Sequence, residues 1–280
     1  MLNCVAFYSA EFLQIMSDFS ERFGGTQRLY GQQAMQWLQQ ARFAVVGIGG
    51  VGCWVAEALA RTAIGQLTLI DLDDICVTNT NRQLHALTDT VGRPKVDEMA
   101  RRISLINPDC QLNAVEDFVT AETVGEYLNE LDYVIDATDS VSAKAAMIAH
   151  CKRRKIPVLT IGGAGGQTDP TQIAIADLAK TVQDPLAAKV RSLLRREYGF
   201  SSNPKRRFQV DCVYSTEQLK YPQPDGSVCE TKQFADGSTK LDCNTGFGAS
   251  VAVTGSFGFF AAARVIDKYL ARCERQAQRD

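Results

Sequence analysis

Two textures alternate along the 280-residue chain between positions 43 and 161. Short apolar runs rich in Val, Ile and Leu are separated by longer segments in which apolar residues recur every three or four positions. The runs predict strands at 43–48, 67–71, 111–116, 133–137 and 158–161, and the segments between them predict helices at 51–64, 94–106, 120–129 and 140–154. Strands joined through helices need crossovers, which makes the sheet parallel and covers both of its faces. The fold class expected is α/β: a Rossmann-like, doubly wound, mostly parallel sheet. A strand at 171–177 and a helix at 184–199 extend it. From Ser201 to Asn244 the chain turns polar, with Gly, Pro and Lys common and a short strand at 209–214. Long excursions of this kind tend to carry function. The expected organisation is a helical lead-in at 1–42, a nucleotide-binding domain at 43–200, a crossover or substrate region at 201–244, and a closing helix at 245–280 packed on the domain.

Residues 245–263 pass without a charge, nineteen positions that would span a bilayer on length alone. Four glycines and four hydroxyl residues dilute that stretch. A buried helix of the core is therefore the expectation, with membrane association the minor alternative. The first residues, MLNCVAFYSAEFLQIMSDF, lack a basic leader and read as a short helix, not a signal peptide. Formal net charge is −2, so the protein is not basic overall. Nine cysteines form no C-x-x-C pair, which argues against zinc and fits reduced thiols in a cytoplasm.

Chemistry begins at FAVVGIGGVGCW. Gly47, Gly49 and Gly52 spell G-x-G-x-x-G between a strand and a helix, with Gly50 adding a fourth glycine. That turn aims backbone N–H groups at an anion and lets phosphate approach closely. Asp71 ends the second strand nineteen residues past Gly52, the spacing that reaches a ribose hydroxyl. The turn says nucleotide without saying which. Downstream lie Asp73, Asn79, Asn81, Arg82, Gln83 and Lys95. A nicotinamide or flavin site wants an apolar slot, not this density of phosphate-binding groups. Arg82 offers a planar fork for phosphate oxygens and Lys95 a point charge. Asp136 and Asp139 follow the fourth strand, where a carboxylate can hold Mg2+ against a triphosphate. No Walker-type G-x-x-x-x-G-K-[ST] is present.

G-x-G-G-x-G, D-x-D, N-x-x-R-Q, V-G-x-P-K and T-D in this order resemble the ubiquitin-activating-enzyme-like adenylyltransferases. The phrases VTNTNRQLHAL, GGAGGQTDPTQI, QDPLAAKVR, VDCVYSTE and DGSVC are similar to the branch of that family that dehydrates threonylcarbamoyladenosine in tRNA. The resemblance implies ATP, Mg2+ and a homodimer. It implies that Asp71 binds ribose, that Asn79, Arg82 and Lys95 handle phosphates with Arg82 the main electrostatic catalyst, and that Asp139 organises the metal. It also implies that an N-terminal arginine, Arg22 or Arg28, crosses to the partner subunit's ATP. A cysteine desulfurase and its sulfur acceptor are further implied partners. No alkali metal can be read from the residues.

Acyl-adenylate formation rests on positioning and charge, with little need for a protein nucleophile. His85 is accordingly read as structural, and Cys212, Cys229 and Cys243 as candidate reactive thiols. Basic residues for a tRNA backbone cluster at Arg191, Arg195, Arg196, Lys205, Arg206 and Arg207, with a second run at Lys152–Lys155. Two other readings stay open: an adenylating activator or sulfur-transfer partner for a small carrier protein, and a non-catalytic nucleotide-binding scaffold.

Overall fold

The computed structural model describes residues 19–223, 225–230 and 247–279. Helices α1 (Phe19–Tyr30) and α2 (Gln32–Gln40) lead into β1 (Arg42–Val46), α3 (Gly52–Arg61), β2 (Gln66–Ile70), α4 (Lys95–Ile106) and β3 (Gln111–Val115). Then follow α5 (Val124–Tyr127), β4 (Tyr133–Asp136), α6 (Val141–Arg154), β5 (Val158–Ile161), β6 (Ile173–Asp177) and α7 (Pro185–Glu197). Strand β7 (Asp211–Ser215), a small hairpin of β8 (Tyr221–Pro222) and β9 (Val228–Cys229), and α8 (Val251–Ala277) complete the described chain. The main sheet runs β3-β2-β1-β4-β5-β7-β6, parallel throughout except that β6 is antiparallel to β7.

Period-two alternation builds a core on each face. Phe43, Val45, Tyr133 and Ile135 point into the layer under α2, α3, α4 and α8. Ala44, Val46 and Val134 point into the opposite layer under α6 and α7. The same alternation places β7 inside the sheet, with Val213 in one layer and Cys212 and Tyr214 in the other. Part of the polar stretch after Ser201 therefore belongs to the sheet. The helix expected over 120–129 shrinks to Val124–Tyr127. Thr120 Oγ1 accepts from the backbone N–H groups of Glu122 and Thr123, a local alternative to helical bonding that delays the start.

Residues 251–263 of the uncharged stretch lie in the first half of α8, which packs on α3. Val253, Phe257, Ala261, Val265 and Ile266 are buried along one stripe of the helix. A Cβ at Gly258 would stand 2.6 Å from Trp54 Cβ and 3.0 Å from Val51 O, so glycine is what permits this close crossing. Among the described residues no helix is long and apolar enough to cross a membrane.

Beneath the sheet's C-terminal edge lies a fully buried ion pair. Lys144 Nζ is 3.1 Å from Asp136 Oδ2, and Thr160 Oγ1 donates to the same carboxylate oxygen at 2.7 Å. Thr138 Oγ1 donates to the other oxygen at 2.8 Å, fixing the turn that leaves β4. Removing one partner strands a buried charge, whereas replacing both removes the problem. Lys144→Ala is expected to cost about 3–5 kcal/mol in urea unfolding, and the double change Lys144→Met with Asp136→Leu much less. Equal losses for the two variants would contradict this.

Candidate active site

Gly47 leaves β1 with φ 85°, and a Cβ there would lie 3.0 Å from the backbone of Ala137 and Thr138. Only glycine combines that conformation with that approach. At Gly52 the constraint is tighter, since a Cβ would fall 1.8 Å from Gly47 O. Helix α3 thus starts directly on the end of β1. Its N-cap, Val51, makes no side-chain capping bond. The backbone N–H groups of Gly49, Gly50, Val51 and Gly52 find no acceptor among the described residues. Four unsatisfied donors at a helix start form a ready anion cradle.

Charged groups surround this cradle. Asp71 lies just past β2, accepting from Ile48 N at 2.6 Å and from Asp73 N at 2.9 Å. Burial pushes its carboxyl above the usual range, opposed by the Lys95 ammonium 3.9 Å away. Lys95, the first residue of α4, is itself buried and bridges to Asp73 at 2.6 Å. Arg82 lies over Gly50, where a Cβ would stand 3.1 Å from its Cγ and Cδ. Its Nη1 donates to Thr78 O at 2.9 Å and Asn81 Oδ1 at 3.0 Å, while the rest of the guanidinium has no protein partner among the described residues. Gln83 is buried beside Gly49 with its Oε1 unpartnered. Asn79 spends its Oδ1 on Cys76 N at 3.0 Å, so it shapes the Asp71–Arg82 loop.

Asp139 is exposed three residues past β4 and carries no bond to a described residue. Asp136, in contrast, is committed to Lys144. Asp139 stays on the cradle's side of the sheet because β4 pairs with β1 and the Thr138 backbone abuts Gly47. No group of three His, Cys, Asp or Glu side chains that could hold a metal occurs among the described residues. A cation here would rely on nucleotide phosphates for most of its ligands.

Two contributors were not singled out from sequence. Trp54 donates its indole N–H to Arg82 O at 3.1 Å, tying the arginine loop to α3. Its place two residues after Gly52 was the available signal. Asp184 caps α7 through Ala187 N at 2.8 Å and accepts from Gly163 N at 3.0 Å, so it anchors the GGAGG loop. A Cβ at Gly162 would lie 1.8 Å from its Oδ2.

Other expected site residues scatter. Cys212 lies fully buried in β7, and burial pushes its thiol far up, which removes it as a reactive thiol. Cys229 is half-buried in β9 with its sulfur accepting from Gln223 Nε2 at 3.0 Å. Cys243, like the N-terminal segment before Phe19, lies outside the described residues. Among the described residues Cys76 is the exposed thiol, its pKa held low by a hydrogen bond from Thr78 Oγ1. Arg191 bonds Thr181 Oγ1, Arg195 lies over the Phe208 ring at 5.5 Å, and Arg196 pairs with Glu197 at 2.8 Å. Lys205, Arg206 and Arg207 are exposed. Arg22 donates to Ile106 O at 3.5 Å, and Arg28 is exposed with its guanidinium beside Gly24.

An uncapped glycine cradle flanked by Asp71, Arg82 and Lys95 at the carboxyl edge of a doubly wound sheet defines a nucleotide-binding protein that handles phosphates. The chain belongs to the ThiF family, whose model matches residues 25–278. It is 56% identical over 264 residues to the tRNA threonylcarbamoyladenosine dehydratase of Escherichia coli K12, spanning 94% of this chain and 98% of the relative. It is 56% identical over 258 residues to that of Haemophilus influenzae, spanning 92% and 96%. The structure is similar to that of the E. coli tRNA N6-threonylcarbamoyladenosine dehydratase in complex with ATP, with TM-score 0.83, 53% identity, and 93% and 99% of the two chains covered.

His85, expected as a structural histidine, is buried with both ring nitrogens unpartnered. Burial, with the Lys95 ammonium adding, pushes its pKa from 6.5 down to about 4. As pH falls from 6.5 towards 4 the unfolded chain binds a proton at His85 that the folded chain does not, so stability is lost over that window. Relative to His85→Leu, the wild type should lose about 3 kcal/mol between pH 7 and pH 4. Urea unfolding at the two pH values checks this, and parallel losses would contradict a neutral buried imidazole.

Proposed function

We propose that this protein is an ATP-dependent dehydratase that cyclises threonylcarbamoyladenosine beside the anticodon of tRNA through an acyl-adenylate. The observation that carries the reading is the cradle of four free N–H groups with Arg82 and Lys95 beside it, in a chain that matches two such dehydratases over nearly its whole length. The bound ATP of the similar E. coli structure supports ATP as the nucleotide.

Asp71 takes the ribose hydroxyls, and the α3 N-terminus and Gly49–Gly52 take phosphate oxygens, while the unpartnered Gln83 Oε1 beside Gly49 is free to accept from a nucleotide N–H or O–H. Asp73, Asn79 and Asp139 complete the surround: Asp73 steers Lys95, Asn79 holds the Asp71–Arg82 loop, and Asp139 faces the phosphates from β4. Mg2+ bound with ATP would be held by Asp139 and would neutralise phosphate charge. The threonine carboxylate attacks the α-phosphorus and pyrophosphate leaves. Arg82 and Lys95 stabilise charge that grows on the phosphate oxygens, the step for which fixed cations count most. An atom of the same modified side chain then attacks the acyl carbon, and AMP departs as the ring closes. Water is lost overall, its oxygen leaving on AMP. None of this asks for a thiol or a histidine base.

We propose the homodimer on the family resemblance, with Phe259 and Phe260 of α8 as exposed apolar groups that such a contact would cover. A cysteine desulfurase and its sulfur acceptor are proposed partners on the resemblance alone. The tRNA substrate argues for the cytoplasm.

Incubation with ATP, Mg2+ and tRNA carrying threonylcarbamoyladenosine should yield a nucleoside lighter by one water, seen by mass spectrometry of the digested tRNA. Arg82→Ala should slow this by about a hundredfold or more while the fold survives. ATP consumption with unchanged nucleosides would overturn the tRNA reading.

A further inference from the structure

The two basic runs, separated by some fifty residues of sequence, meet in space. Lys152 and Arg153 from the last turn of α6 and Arg207 from the loop before β7 line one cleft of about 620 Å³, floored by Tyr198, Phe200 and Phe208. Lys205 and Arg206 adjoin Arg207 in the loop and are exposed. None of these five cations makes an ion pair among the described residues. The lone carboxylate of the cleft, Glu197, is taken by Arg196 at 2.8 Å. In a protein of net charge −2, uncompensated cations gathered in one hollow are a local exception.

The cleft is also built, not left loose. Asp177 at the end of β6 accepts from Phe208 N at 2.9 Å and Gln209 N at 2.7 Å. That brace holds Gln209 at φ 57°, and Lys155 beyond α6 lies at φ 59°. Non-glycine residues in this region are uncommon and persist where surrounding contacts impose them. Lys152 Nζ reaches Gln209 Oε1 at 3.3 Å, joining the two walls. The Arg195 guanidinium over Phe208 packs beneath.

Its position separates it from the chemistry. Helix α6 begins beside Asp139 at the carboxyl edge of the sheet and runs for fourteen residues to Arg154. At 1.5 Å per residue it spans about 21 Å, so the cleft opens at the opposite edge of the sheet from the glycine cradle. An anion held there is not the reacting ATP.

We infer that this cleft, where Lys152, Arg153 and Arg207 converge, is a phosphodiester-binding surface that grips the tRNA backbone away from the base being modified. The inference rests on the proposed tRNA substrate and adds to it a second point of attachment. Spaced cations, beside a single carboxylate already paired with Arg196, match the charge of an RNA backbone, and they position the substrate without reading its sequence. A remote grip of this kind tightens substrate binding and leaves the reacting step to the cradle.

The test compares wild type with Lys152→Glu/Arg153→Glu/Arg207→Glu and with a control of equal charge change along and just beyond α8, Lys268→Glu/Arg275→Glu/Arg279→Glu. Binding of fluorescent tRNA is followed by anisotropy across a salt series, and kcat and KM for tRNA are measured with ATP in excess. The cleft variant should weaken tRNA binding and raise KM by about tenfold or more, with kcat and ATP binding retained. Its salt dependence should flatten by about one unit of slope for each phosphate that the cleft no longer neutralises. Wild-type tRNA affinity and salt slope in the cleft variant would overturn the inference, leaving an acidic protein as the partner to consider. An equal loss in the control variant would also overturn it, since the effect would then be bulk charge. Absence of dehydration in the wild type, with tightly bound tRNA still released by the cleft variant, would instead count against the proposed reaction and spare the cleft.

Discussion

The site depends on the close meeting of Gly52 with the carbonyl of Gly47. No side chain fits between them, because a Cβ on Gly52 would lie 1.8 Å from that oxygen. The approach sets α3 directly on the end of β1 and leaves four backbone donors facing outward. It also places Trp54 where its N–H holds the Arg82 carbonyl, and where its Cβ admits only glycine at position 258 of α8. The phosphate cradle, the arginine loop and the closing helix are thus three consequences of one backbone approach. A methyl group at position 52 would have to move all of them.

Electrostatics then turn a general nucleotide turn into a particular one. Orphan N–H groups attract any anion, and a dinucleotide cofactor would satisfy them as well as a triphosphate. The distinction comes from what stands around them. Lys95 is buried between two aspartates, and Arg82 keeps part of its fork unspent over Gly50. On the proposed reading both would meet charge that appears on phosphate during transfer. Asp136 looks equally suited in sequence, yet its carboxylate is consumed by Lys144, which leaves Asp139 as the free acid of that turn.

Much of this is legible in the sequence because its signals are local. Strand order aside, the strands from β1 to β5 and their crossovers follow from periodicity, and Gly47, Gly52, Asp71, Arg82 and Lys95 follow from spacing along one sheet edge. What escapes such reading is set by long-range packing. Nothing local marks Cys212 as walled into β7, or Val213 as alternating against it inside the sheet. Nor does spacing reveal that Arg191 is spent on Thr181 and Arg195 on the Phe208 ring while Lys152 and Arg207, far apart in the chain, share a cleft. The partner of Lys144 is hidden for the same reason: a lysine in a helix reads as solvated until the strand beneath it is known.

On the proposed reading the molecule works at two edges of one sheet, with phosphate chemistry at the carboxyl ends of the strands and a charged cleft at the other. That the glycine cradle makes an acyl-adenylate is tested most directly by exchange of labelled pyrophosphate into ATP. With tRNA carrying threonylcarbamoyladenosine the label should enter ATP, and it should not do so with unmodified tRNA or with Lys95→Ala. Release of ADP and phosphate instead, or exchange indifferent to the modification, would contradict the claim.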